Sequence, residues 1–381
     1  ENIRNNTEGK KVFLEVLNRI IIKGKLHKKV KEVVNKYREN RIEELASDFN
    51  IKTTQEKKRI YTIDDFFALE RPVRGIVCPT GYTYLDHFMD NGLGLRELGL
   101  IVSAPGVGKS TLLMNILCNG FLEYYYNVEK NPISEKFRFV YVSLELSFEE
   151  VWVRLLSILF DLELKYLREN APKSVYEYIT FIGKEDVVKA MKDRIYVLYF
   201  EPFTPIDEIL KELNNIDDGL LYVFIDYLNE IDEPKVREIY AKYETIMTKL
   251  DGYANTRECG IWIASQGHPK QRKEGIVDMK DIYQSKVGIS KKISFGIGIS
   301  ANENNEHIVS FFKNRLKGKV HDTCRFFKNM NSLKLTEEPK IFTDEGFFSQ
   351  LGGIGIREQK IKDDNEGNNI PSLGEVNFVE L

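Results

Sequence analysis

Residues Ser103-Ala104-Pro105-Gly106-Val107-Gly108-Lys109-Ser110-Thr111 have the composition of a phosphate grip. Gly106 and Gly108 let the main chain approach a triphosphate with no side chain in the way. The N–H groups of such a loop, and the N-terminus of the helix that follows it, point at phosphate oxygens. Lys109 is placed to reach the β- and γ-phosphates, and the Ser110 hydroxyl to bind Mg²⁺. The ligand implied is ATP or another nucleoside triphosphate, with the whole stretch 103–111 as its cradle. The strict pattern has glycine where Ser103 stands. A plain glycine-rich turn ahead of an ordinary helix would account for the glycines, but not for Gly-Lys-Ser-Thr at the exit of an apolar strand.

Three more segments end a strand on a residue able to serve that site. Leu220–Ile225 is apolar and stops at Asp226, a carboxylate able to hold the magnesium's water shell. Phe139–Leu144 runs into Glu145, which could position or deprotonate an attacking water from a strand beside the P-loop strand. Trp262-Ile263-Ala264-Ser265 ends on Gln266, whose amide can both donate to a γ-phosphate oxygen and accept from a neighbour. Taken singly, the acids read equally well as solvated strand ends, and Gln266 as a surface amide. Two basic clusters follow. Lys270, Arg272 and Lys273 leave the Gln266 strand on a loop suited to sequence-independent phosphate contacts with a charged polymer, or else simply to solvent. Lys313 and Arg315 flank Asn314 near a hairpin tip and project to one side of a strand, where a guanidinium can enter a neighbouring subunit's site. For a monomer the same residues are only a basic turn.

The elements that must position these residues follow from periodicity. Strands are expected at 99–103, 139–144, 195–200, 220–225 and 261–265, with helical stretches between them, which predicts a parallel sheet of right-handed crossovers. Thr204-Pro205-Ile206-Asp207 reads as a helix start, with a cap followed by proline at the first position. From about residue 293 the pattern changes to short strands at 293–300, 308–313 and 324–328, predicting hairpins added to the sheet edge. Upstream, apolar faces at Phe13, Val16, Leu17, Ile20 and Ile21, and at Val30, Val33, Val34 and Tyr37, predict two helices. A polar linker and a short helix from Thr62 come next. The expected organisation is a helical N-terminal region and linker at 1–70, an ATPase domain at 71–350, and a flexible acidic tail at 351–381.

With 381 residues, 42% of them hydrophobic, the chain can build a large core and is not globally disordered. Its formal net charge of −3 leaves any nucleic-acid contact to local basic clusters. The four cysteines are scattered without C-x-x-C spacing, which supports neither a zinc site nor a disulfide framework. The sequence shows no signal peptide and no apolar run of membrane-spanning length, so a soluble, cytoplasmic protein without membrane partners is expected.

Together these segments resemble the DnaB-type replicative helicases of superfamily 4, phage members included, over roughly residues 80–336. Thr80-Gly81-Tyr82-Thr83-Tyr84-Leu85-Asp86 looks like the family's lead-in, and the family's P-loop also lacks the first glycine. Val142–Ser147 resembles the segment of the catalytic glutamate. Phe224–Leu228 and Ala264–Gln266 resemble the metal-binding and phosphate-sensing strands, and Phe312–Arg315 the hairpin of the trans-acting Lys/Arg finger. The resemblance implies an α/β RecA-like P-loop ATPase core, a homo-hexamer with nucleotide sites between neighbours, and channel loops gripping single-stranded DNA. It further implies NTP-driven movement 5′ to 3′ with unwinding of duplex, and partners such as a primase, a helicase loader and a single-strand-binding protein. Residues 1–70 depart from the family's N-terminal helical domain, and no cysteine cluster of a fused zinc-bearing primase is present. Rival readings are a RecA-type strand-exchange recombinase and a non-motor RecA-like ATPase.

Overall fold

The computed structural model describes residues 74–127, 136–216, 219–267, 286–301, 306–318 and 320–339, with Ile63, Phe67 and Val277. The expected N-terminal helix pair and linker, most of the short helix from Thr62, the basic loop at 270–273 and the acidic tail lie outside the described residues. The chain divides into two compact units, Glu1–Val73 and Arg74–Leu381, and the elements below belong to the second.

In chain order they begin with β1 (Val77–Cys78), α1 (Thr83–Met89), β2 (Leu93–Gly94), β3 (Leu98–Ser103), α2 (Lys109–Tyr126), β4 (Phe137–Ser143) and α3 (Phe148–Phe160). Next come α4 (Leu164–Glu169), α5 (Pro172–Phe181), α6 (Glu185–Lys192), β5 (Ile195–Tyr199), β6 (Thr204–Pro205), α7 (Ile206–Leu213), β7 (Leu220–Asp226) and β8 (Ile231–Asp232). The order closes with α8 (Ile239–Arg257), β9 (Gly260–Gln266), α9 (Lys286–Lys292), β10 (Phe295–Ala301), β11 (His307–Asn314), β12 (Thr323–Lys328) and β13 (Leu335–Glu337).

Nine strands form one sheet in the order β13-β12-β11-β10-β3-β9-β7-β4-β5. From β10 to β5 every neighbouring pair is parallel, and β10 through β13 are antiparallel. The predicted parallel sheet with an added antiparallel wing is therefore what the chain builds. Helices cover both faces, so the central strands are buried throughout and their residues divide by the two-residue period. Phe137, Phe139, Tyr141, Tyr222, Phe224 and Trp262 face the side of α2, whereas Val140, Val142, Val223, Ile225, Ile261 and Ile263 face the side of α8. The aromatic face leaves no room on β3. A Cβ on Gly99 would come within 2.4 Å of the Trp262 ring.

Two local expectations change. Thr204 and Pro205 form the short strand β6, paired with β8, and Pro205 is the N-cap of α7 rather than its first residue. The Thr204 hydroxyl donates to the Glu201 carbonyl at 2.6 Å instead of capping the helix. In addition, β4 does not lie beside β3, because β9 and β7 come between them. The two central strands enter the sheet later in sequence but nearer to β3 in space.

Candidate active site

The parallel strands of the sheet all end at one edge, and the phosphate-type loop leaves that edge from β3. Ser103 ends β3, Gly106 and Gly108 take positive φ of 77° and 116°, and Gly108 caps α2, whose first residue is Lys109. A Cβ at Gly106 would meet nothing within 4 Å, so the concave side of the loop is open for a ligand. The mostly buried Lys109 ammonium donates to the carbonyls of Ser103 and Ala104, both at 3.3 Å. Burial lowers its pKa, while the carboxylates of Asp226 and Glu145 act in the opposite direction.

Asp226 ends β7 and is 1% exposed. One carboxylate oxygen, Oδ2, accepts from the Tyr141 hydroxyl at 2.6 Å. The other, Oδ1, is buried with no protein partner. Burial raises this carboxyl's pKa, and Tyr141, Ser110 and Lys109 act against the rise. A buried carboxylate oxygen without a partner, next to the Ser110 hydroxyl, is a set of hard oxygen donors that fits Mg²⁺. Glu145 lies two residues beyond β4, in a bend pinned by Ser143, whose hydroxyl donates to the Leu146 carbonyl at 2.6 Å and accepts the Leu146 N–H at 3.1 Å. That bend brings Glu145 back over the loop despite the two intervening strands. Its pKa is raised, first by burial and then by Asp226, with Lys109 opposing. Gln266 pairs with Ser103 in the β3–β9 register. Its N–H donates to Asn229 Oδ1 at 2.9 Å and its amide Nε2 to the Tyr227 hydroxyl at 3.4 Å, and that hydroxyl donates to Glu230 at 2.7 Å.

A pocket of about 270 Å³ gathers the loop, Lys109, Ser110, Glu145 and Gln266. Two cations that the sequence reading did not include line it as well, Arg154 and Lys328. Arg154 sits on α3 and donates to Glu150 at 2.9 Å, an i,i+4 pair that in sequence looks like ordinary helix-surface chemistry. Lys328 ends β12, two strands beyond β10, and only the three-dimensional path of the wing brings it here.

The wing also carries Lys313 and Arg315, and it carries them elsewhere. The register Asn314↔Phe295↔Gly99 puts the end of β11 level with the start of β3, whereas the phosphate-type loop leaves β3 after Ser103. At roughly 3.3 Å per residue the two ends are about 13 Å apart along the strand. Lys313 donates to the Ser290 carbonyl, and Arg315 to the carbonyls of Lys291 at 3.3 Å and Ile293 at 3.4 Å, so both reach the C-terminal end of α9. Asn314 turns the other way and donates to the Phe88 carbonyl at 2.7 Å.

Residues 77–282, more than half of the chain, match the model of the DnaB-like helicase C-terminal domain family. A replicative DNA helicase DnaB of Buchnera aphidicola subsp. Baizongia pistaciae (strain Bp) is 27% identical over 168 residues, covering 43% of this chain and 33% of that protein. The chain thus spans about a third of the length of that curated relative. Among solved structures, the ATPase domain of a phage helicase superposes with a TM-score of 0.56 at 16% identity, covering 72% of this chain and 94% of that one. The structure of a DnaB-like replicative helicase, described with its interactions with primase, gives 0.55 at 16% identity over 86% and 77%. These two likenesses concern the fold. With the loop, the parallel sheet and the converging Lys109, Asp226 and Glu145 in place, the family match is decisive: the chain belongs to the DnaB-like helicase C-terminal domain family.

Proposed function

We propose that this chain is an NTP-driven DNA motor that forms a hexameric ring, moves 5′ to 3′ on single-stranded DNA and opens duplex ahead of it. The observation that carries the reading is the convergence of Lys109, Ser110, Asp226, Glu145 and Gln266 on one pocket at the parallel strand ends. In this reading the 103–111 loop cradles the triphosphate, and Lys109 neutralises its β- and γ-oxygens. Ser110 and Asp226 hold Mg²⁺, which when bound neutralises charge developing between those phosphates. Glu145, with its pKa raised, orients the attacking water and takes its proton. Gln266 reads the γ-phosphate and passes its state to Tyr227 and Asn229 on the loop after β7.

Arg315 and Lys313 lie at the opposite sheet end from their own chain's loop, which supports their acting on a neighbour's nucleotide rather than their own. Lys270, Arg272 and Lys273 are proposed as DNA contacts, and a primase, a loader and a single-strand-binding protein as partners. No helix among the described residues is long and apolar enough to cross a membrane.

The test is ATP hydrolysis with and without single-stranded DNA, together with opening of a forked duplex. The motor reading predicts DNA-stimulated hydrolysis and ATP-dependent unwinding. Hydrolysis indifferent to DNA, with no fork opening by the assembled ring, would replace it with a non-motor ATPase, and strand exchange without unwinding with a recombinase.

A further inference from the structure

Lys328 reaches the nucleotide pocket because the antiparallel wing curls around α2. The Asn115 side chain of α2 donates to the Leu333 carbonyl at 3.0 Å and accepts the Leu335 N–H at 3.0 Å. On the outer side, Leu164 N–H donates to the Asn331 carbonyl at 2.8 Å, and the Ser332 hydroxyl donates to Asp161 at 2.5 Å. These four contacts fix the turn that follows β12, and with it the place of Lys328 opposite the N-terminal end of α2.

No carboxylate pairs with Lys328 among the described residues. Burial pushes its ammonium down from the ordinary lysine range, and Arg154, another cation, pushes it further. Lys328 in turn opposes protonation of His307, whose buried ring lies 3.1 Å from where a Cβ of Gly108 would stand. Arg154 has Glu150 as its partner, and Lys109 has Asp226 and Glu145 acting on it. Among the described residues, Lys328 is the pocket cation without a counter-charge. Crowded, partly desolvated cations cost free energy in the bare protein, and an anionic ligand removes that cost.

We propose that Lys328 is a phosphate-binding residue supplied in cis by the C-terminal wing, donating to the phosphate chain of the nucleoside di- or triphosphate held on the 103–111 loop. The inference rests on the nucleotide-site reading above and adds to it a contact from outside the parallel strand ends. It also makes the wing that carries Arg315 responsive to the chain's own nucleotide.

The experiment titrates the full chain calorimetrically with ADP and with ATPγS in the presence of Mg²⁺, comparing wild type, Lys328→Gln, Lys328→Arg and Lys109→Ala. Lys328→Gln should weaken both nucleotides about tenfold, the effect of one charge-assisted hydrogen bond, and Lys328→Arg should recover most of the loss. Unchanged affinity of a folded Lys328→Gln protein, with Lys109→Ala clearly weakened, overturns the proposal and leaves the nucleotide site standing. If Lys109→Ala binds as tightly as wild type, the nucleotide-site reading itself fails. A second measurement needs no variant. In wild type, ADP should slow acetylation of Lys328, read by mass spectrometry, while leaving the exposed Lys334 unaffected; equal reactivity with and without ADP also overturns the proposal.

Discussion

Arg315→Ala separates a ring motor from a self-contained ATPase, and its size follows from the sheet register. The end of β11 is level with Gly99, about 13 Å along β3 from the exit of the phosphate-type loop at roughly 3.3 Å per residue. The guanidinium also points to the C-terminal end of α9 and bonds its carbonyls. Within one chain, then, Arg315 contributes nothing to its own nucleotide. At a neighbour's site its loss should lower turnover about 10³-fold or more, as for other arginine fingers, with little effect on nucleotide affinity. The assay mixes Arg315→Ala with Lys109→Ala protein, each inactive alone. In a randomly mixed one-to-one ring, a site works when its own subunit keeps Lys109 and its neighbour keeps Arg315, which holds for about a quarter of the interfaces of a closed ring. ATPase should therefore return to about a quarter of the wild-type rate if interfaces act independently, and fall off on either side of equal mixing. No recovery at any ratio, with subunit exchange demonstrated by labelled protein, refutes action in trans.

Glu145→Gln should keep nucleotide and DNA binding but lose turnover about 10²-fold or more; retained turnover would move the base to another residue such as Glu149 or Glu150. Because the Glu145 carboxyl is shifted up, the active carboxylate is lost on acidification at a higher pH than for an ordinary glutamate, and ATPase should fall accordingly. Arg154 holds that carboxyl down, so Arg154→Met should move the acid limb to still higher pH; a limb unmoved or moved down would refute the assignment. Replacing Lys270, Arg272 and Lys273 together by alanine should weaken single-stranded DNA binding regardless of sequence, and reduce the log–log salt slope by roughly one unit per lost phosphate contact. An unchanged slope places the DNA on other residues. Asn115→Ala strands the buried carbonyl of Leu333 and N–H of Leu335, at about 1–3 kcal/mol each, and should lower the melting temperature by roughly 5–10 °C. A shift under about 2 °C would mean that the wing is held to α2 by other contacts.

Much of this arrangement is legible in the sequence because it is local. Glycines at 106 and 108, a lysine at a helix start and acids at apolar strand ends are neighbours along the chain, and the two-residue period identifies the strands that carry them. Strand order is not local. The sequence puts Glu145 on a strand beside the P-loop strand, yet β9 and β7 intervene, and only the bend pinned by Ser143 restores its reach. Thr204-Pro205 has the composition of a helix cap and becomes a strand, because β8 offers it a partner that arrives much later in the chain. Arg154 hides as an i,i+4 partner of Glu150. Lys328 is invisible until the wing is seen to bend around α2, since nothing near it in sequence is shared with a phosphate loop more than two hundred residues earlier.

The opposed ends of the central sheet have a consequence for assembly. If the finger at one end serves a nucleotide held at the other end of the next molecule, each contact joins two different surfaces, and two subunits cannot satisfy each other face to face. A pair would leave one pocket without a finger and one finger without a pocket. Growth therefore has a direction, and it stops only where rotation from copy to copy brings the last subunit back to the first. Where that rotation is accompanied by a rise, the assembly is an open spiral with one incomplete site at its seam. The number of catalytically complete sites in such a spiral is one fewer than the number of chains, which makes ring closure itself countable by stoichiometric nucleotide turnover.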